Sequence, residues 1–215
     1  DIFCQTLGQD ETVRFKVGTA RPYLSGPTDM LTTLDPSAAE PQLTVYTMNE
    51  DKLVVKAYAV TPEDWPAYVQ YRRDLDQYES KATPPGQLVL DETISTNSQE
   101  DVLTETAVLL SKALGEDNTG HLIVIIQPPR RFSDFWEQRR QTVQTWVQAT
   151  QIGLDAIGDP TRLIAWTTDL KDGSPLAGTA VTANTGGSAQ TDPQGLASLP
   201  LPGSASNPAT KLTAG

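Results

Sequence analysis

The chain has 215 residues, with 16 Lys and Arg against 27 Asp and Glu, a formal charge of −11 at pH 7. A surface of that sign repels phosphate backbones and anionic lipid, which argues against nucleic-acid and membrane-surface binding. The longest unbroken apolar run, Leu122–Ile126, falls far short of the ~20 residues a spanning helix needs, while 38% hydrophobic residues are enough for a core. Cys4 is the single cysteine, so neither an internal disulfide nor a thiolate metal cluster is expected. Asp1 stands where a start methionine would, and Asn207–Gly215 is small and polar, so an excised piece of a longer protein is expected.

Strand periodicity dominates. Val13, Phe15 and Val17 alternate with polar neighbours, as do Leu43, Val45 and Thr47, and then Leu53, Val55, Ala57 and Ala59. Leu88–Leu90 and Leu103–Leu110 continue the pattern, and His121–Gln127 is a β-branched run closed by Pro128 and Pro129, which lack the N–H a ladder needs. Two stretches read as helix. Thr61-Pro62-Glu63-Asp64 has a capping hydroxyl, a proline and first-turn acids, and Trp65, Tyr68, Arg72, Leu75 and Tyr78 recur at helical spacing, which places a turn before a helix over 66–78. The second is Ser133–Arg140. A further series follows: Val143–Ala149, Ile152–Ala156, Leu163–Thr168, Thr179–Ala183 and Gly195–Leu199. Its turns are built on Gly158-Asp159-Pro160, Lys171-Asp172-Gly173 and Asp192-Pro193-Gln194-Gly195. Short strands at short spacing argue for β-sandwiches.

The boundary is expected between Pro128 and Gln141, giving a first domain over residues 1–130 and a second over 140–215, with residues 1–40 shared in part with a preceding module. Two details follow from the period of two. Val143, Val147 and Ala149 are odd-numbered and Ile152, Leu154 and Ala156 even, so a bulge or sheet switch is expected near Ala149–Gly153, with Val147 and Ile152 both buried. Trp146 lies on the face opposite Val143 and Val147, so it needs a lateral partner: Phe132, Phe135, Trp136 or the first domain.

No constellation of catalytic residues stands out. His121, the single histidine, lacks partners at ligand spacing and reads as a strand-edge residue. The pairs Asp74/Asp76 with Glu79, Asp91-Glu92 and Glu116-Asp117 read as solvated acids, and Asp169, Asp172 and Asp192 as turn residues rather than calcium ligands. Trp65, Tyr68, Tyr71 and Tyr78 have the chemistry to stack on sugar or peptide, but such a stripe more often packs a helix onto a sheet.

The second series closely resembles a macroglobulin domain of the bacterial alpha-2-macroglobulin family. The resemblance runs through Val143–Ala156, Arg162–Trp166, Thr168-Asp169-Leu170, Pro175-Leu176-Ala177-Gly178 and Thr191–Gly195. Pro41–Val60, Thr61–Tyr68 and Gly120–Gln127 resemble the neighbouring macroglobulin domain, so the likeness covers about residues 41–200. It implies an all-β fold of two consecutive macroglobulin-type (immunoglobulin- or fibronectin III-like) antiparallel sandwiches, with one short helix in the first. It also implies an exported periplasmic or cell-surface protein that inhibits or traps proteases, in which these domains are scaffold beside other macroglobulin domains. The family's thioester motif, Cys-x-Glu-Gln, is not matched by Cys4-Gln5-Thr6-Leu7. No catalytic, cofactor-binding, metal or thioester residue is therefore assigned, and a non-enzymatic role is expected. The alternative is an immunoglobulin-like stalk or adhesin module, and a weaker one is a glycan-contacting accessory module using the Trp65–Tyr78 aromatics.

Overall fold

The computed structural model describes residues 8–37, 40–77, 82–130, 132, 134–159, 161–184, 186–200 and 212–214. Strands β1 (Tyr23–Ser25), β2 (Leu31–Leu34), β3 (Gln42–Met48), β4 (Lys52–Val60), β5 (Gln87–Ser95), β6 (Thr104–Leu109), β7 (Gly120–Gln127) and β8 (Val143–Ala149) form two facing sheets. One has the order β1-β3-β6 and the other β2-β8-β7-β4-β5. Consecutive strands β3 and β4 thus lie in opposite sheets. The reversal between them uses Asn49 in the left-handed region (φ 54°), a conformation that asparagine tolerates.

Alternation decides what lies between the sheets. Leu43 and Val45 on β3, Leu53, Val55 and Ala57 on β4, Leu122, Val124 and Ile126 on β7, and Val143 and Val147 on β8 share one buried cluster. The opposite face of the larger sheet is not left to water. Helix α1 (Trp65–Leu75), entered through a 3-10 turn at Pro62–Asp64, packs Tyr68 and Tyr71 against Val60, Ile123 and Trp146. Asp64 closes that entry by accepting from the Thr61 N–H (2.8 Å) and hydroxyl (3.1 Å). The apolar run of β7 is therefore continuous because both of its faces are covered.

The remaining strands are β9 (Ile152–Gly158), β10 (Arg162–Asp169), β11 (Ala180–Ala183), β12 (Ser188–Gln190), β13 (Leu196–Pro200) and β14 (Leu212–Ala214). They form two small sheets, β13-β10-β9 and β12-β11-β14, around a second cluster of Leu163, Ala165, Ala197 and Leu199 with Val181 and Ala183. Helix α2 (Phe135–Arg140), capped by the Asp134 carboxylate accepting from the Glu137 N–H at 3.0 Å, lies between β7 and β8 in the chain.

Several expectations need correction. Strand β8, expected to open the second sandwich, pairs antiparallel with β7 from Gly120↔Ala149 to Ile126↔Val143 and parallel with β2, so it completes the first. The chain crosses to the other set of sheets at Thr150–Gln151, about ten residues beyond the expected Pro128–Gln141 boundary. Periodicity identifies a strand but not its neighbours, and Pro128-Pro129 with α2 is an excursion within one sheet. The sheet switch near Ala149–Gly153 is present, and Val147 is buried, but Ile152 is only half-buried. Val13, Phe15 and Val17 form no strand; they are 80%, 83% and 80% exposed, and the N-terminal region contributes β1 and β2 instead. Among the described strands one pair, β2 with β8, is parallel and departs from a purely antiparallel sandwich.

Candidate functional site

The aromatic stripe of α1 is a packing seam. Trp146, 2% exposed, meets Trp65 edge-on at 5.3 Å between ring centroids and Tyr68 at 5.4 Å, while Tyr68 and Tyr71 lie 6.4 Å apart. The expected lateral partner of Trp146 therefore comes from the first domain, not from Phe132, Phe135 or Trp136. The buried indole needs an acceptor, and its Nε1–H donates to His121 Nδ1 at 3.1 Å. This is the role of the single histidine: one strand over, it satisfies a tryptophan. Two more polar tips along the seam are likewise engaged. Tyr68 Oη donates to the Met30 carbonyl at 3.3 Å, and Arg72 Nη1 donates to the Gln144 carbonyl at 2.8 Å. Burial pushes both phenols up, Tyr71 to about 12. Tyr68 and Tyr71, being buried, offer no stacking platform for sugar, and Trp65 is half-buried. Tyr78 lies outside the described residues.

The carboxylates are dispersed and used locally. Asp169 accepts from the Lys171 N–H (2.8 Å) and Asp172 from the Ser174 N–H (2.9 Å), while Asp192 accepts from the N–H groups of Gln194 and Leu196 (2.9 Å each). These are turn contacts made by each side chain on its own loop, the competing local bond that suits Asp to turns. Hydrogen bonds from Thr161 and Arg162 hold Asp159 well below the usual carboxylate range in the same way. Asp76 pairs with Arg139 at 2.8 Å and Asp91 with Lys56 at 3.3 Å, both at the surface, and Glu92 pairs with Lys112. Among the described residues no three potential metal ligands gather. Glu79 and Cys4 lie outside the described residues. Among the described residues the carboxylate shifted in the opposite direction is Glu50, at the β3–β4 reversal. Desolvation raises its affinity for a proton, and Arg130, with Nη1 2.7 Å from Oε1, opposes that rise.

The Asn97–Asp101 loop is tied down. Asp101 accepts from the Ala20 N–H (2.9 Å) and from Asn49 Nδ2 (2.8 Å), and Asn97 Nδ2 donates to the Glu105 carbonyl at 2.7 Å. Sequence reasoning passed over a different feature. Arg72 of α1 and Arg139 and Arg140 of α2 line one cleft of about 300 Å³ beside β1 and β8. The pairs Arg72-Arg73 and Arg139-Arg140 were visible signals, but 67 residues separate Arg72 from Arg139 in the chain, and only the fold brings them together.

No family model and no curated protein matches the sequence. Solved structures do. The chain is similar to the NIE–MG1 segment of native alpha-2-macroglobulin from Escherichia coli (20% identity, TM-score 0.58), covering 90% of this chain and 96% of that one. It is also similar to the longer MG0–NIE–MG1 segment (18% identity, TM-score 0.59, 90% of this chain), of which it spans 64%. Against the native whole E. coli protein the identity is 18% and the TM-score 0.61, with 90% of this chain covering 12% of that one. The chain has the fold of the NIE–MG1 segment of a bacterial alpha-2-macroglobulin.

Proposed function

We propose that the chain is a non-catalytic scaffold of an exported bacterial alpha-2-macroglobulin-like protein that restrains proteases at the cell envelope. The observation that carries this reading is the alignment of 90% of the chain with 96% of the NIE–MG1 segment, on top of the sequence resemblance over about residues 41–200. The geometry is consistent with support rather than chemistry: acids are spent on turns, aromatics on packing, and the sole histidine on an indole. Because the chain spans 12% of the native E. coli protein, protease capture belongs to a larger body, and these sandwiches position its neighbours.

The reading is tested at two sizes. Titrated against trypsin-, elastase- and subtilisin-like enzymes, the isolated chain leaves their activity unchanged. The full-length product of the same gene, mixed with the same enzymes, suppresses cleavage of large protein substrates more than of small peptides, since an enclosed protease is screened by size. Stoichiometric inhibition by the isolated chain, or a full-length product that protects no protein substrate, refutes it.

A further inference from the structure

The arginine cleft is at odds with the charge of the molecule. In a chain of net charge −11, three arginines line one concavity of about 300 Å³, and no Asp or Glu is among its lining residues. Charges of one sign repel at close range unless a counter-charge joins them. The cleft's own counter-charge is sparse. Arg72 is held through a backbone carbonyl (2.8 Å) and a phenol (3.3 Å), neither of which is a carboxylate. Arg139 shares one nitrogen with Asp76, which is itself 73% exposed, and Arg140 makes no ion pair among the described residues.

A second observation points the same way. Gln144, 7% exposed and also lining the cleft, has a buried side-chain nitrogen with no hydrogen-bond partner. An unsatisfied buried amide donor is uncommon, so it asks for an acceptor. The Ser25 hydroxyl adds a further donor to the wall, whereas the Thr142 hydroxyl is already engaged, donating to the Gln138 carbonyl at 2.8 Å. A cleft with three arginines, an unpartnered amide donor and no acid favours a ligand that accepts. The adjoining cleft, which shares Arg140 and adds Arg21, also carries Asp134 and Glu137, and so lacks this bias.

We propose that the Arg72–Arg139–Arg140 cleft is an oxyanion site that takes the carboxylate or phosphate group of a small ligand. The planar fork of arginine matches two oxygens of either group, and a volume of about 300 Å³ admits a ligand the size of citrate. The proposal is independent of the scaffold reading, since no protease enters it.

Calorimetric titration of the full chain with inorganic phosphate and with citrate, at about 20 mM and about 150 mM NaCl, tests it. Expected is saturable one-to-one binding of at least one anion, weaker in the higher salt, with the tighter of the two naming the preferred group. Arg140→Ala, which trims an exposed side chain, weakens binding by about tenfold or more. Arg73→Ala, the same charge change on a residue outside the cleft, leaves it unchanged, and circular dichroism verifies that both variants are folded. No saturable binding of either anion, or equal losses in the two variants, overturns the proposal.

Discussion

At the residue scale, Trp146 concentrates the packing of the first half. Its indole touches α1 through Trp65 and Tyr68 and the next strand through His121, so truncation opens a cavity that the surrounding rings cannot fill. Trp146→Ala is expected to cost about 3–5 kcal/mol, whereas Trp146→Phe keeps a ring, loses the donor to His121 and costs less. Urea midpoints measured by circular dichroism check the order. Tyr71 makes a pH prediction. Burial raises its folded pKa to about 12, above the ordinary value of 10.0, so on alkalinisation the unfolded chain releases this proton first. The contribution is intact below pH 10 and is lost as pH rises through the folded pKa, which places the decline between pH 10 and 12. Tyr71→Phe, having no phenol to ionise, is expected to show a shallower alkaline slope in stability, read from urea titrations across that window.

At the scale of elements, the turn Asp192-Pro193-Gln194-Gly195 shows how one position sets a hairpin. Gly195 has φ 76°, and a Cβ there would strike the Thr167 carbonyl oxygen of β10, whose neighbour strand β13 the turn feeds. Gly195→Ala therefore meets both strain and collision and is expected to destabilise by more than about 1 kcal/mol, with Thr191→Ser as a mild comparison, both read as shifts in urea midpoint. Strand β8 makes the larger point. Its sequence predicts a strand with Trp146 set among glutamines on an outer face, yet that face is buried under α1. Gln144 is legible as polar but not as buried, because the helix that covers it is more than sixty residues upstream. A chain cut after Thr150 keeps β8 and is expected to unfold cooperatively in urea. One cut after Arg140, near the boundary the sequence suggests, bares the β8 edge of β7 and is expected to lack near-UV circular dichroism and bind a hydrophobic dye.

At the scale of the molecule, the clusters around Leu122 and around Leu199 share no residue, and no described strand pairs across the Thr150–Gln151 crossing. Two cooperative units are the expectation. Leu122→Ala should lower one thermal transition and Leu199→Ala the other, each by the equivalent of about 2–5 kcal/mol, as resolved by scanning calorimetry. A single transition displaced equally by both variants contradicts independent cores. Charge is also organised at this scale. The overall negative sign excludes a broad basic surface, but it does not forbid a local arginine cleft, because composition carries no position.

The sequence by itself determined the β class, the described strands after residue 40 except β12 and β14, the α1 entry through Thr61–Asp64 and the turn aspartates. These rest on interactions within a few residues: side-chain period, fixed φ and short side-chain-to-backbone bonds. The break near Thr150 was legible too, since a change of phase from odd to even requires a bulge or a switch of sheet, and the fold took the switch. Only the tertiary structure decided which sheet owns β8, that β2 runs parallel beside it, and that Val13, Phe15 and Val17 stay outside any strand. It alone carried Arg72 to Arg139 and Arg140. Those outcomes depend on which distant surfaces meet, and a local pattern states only that a face is apolar or charged, not what it will face.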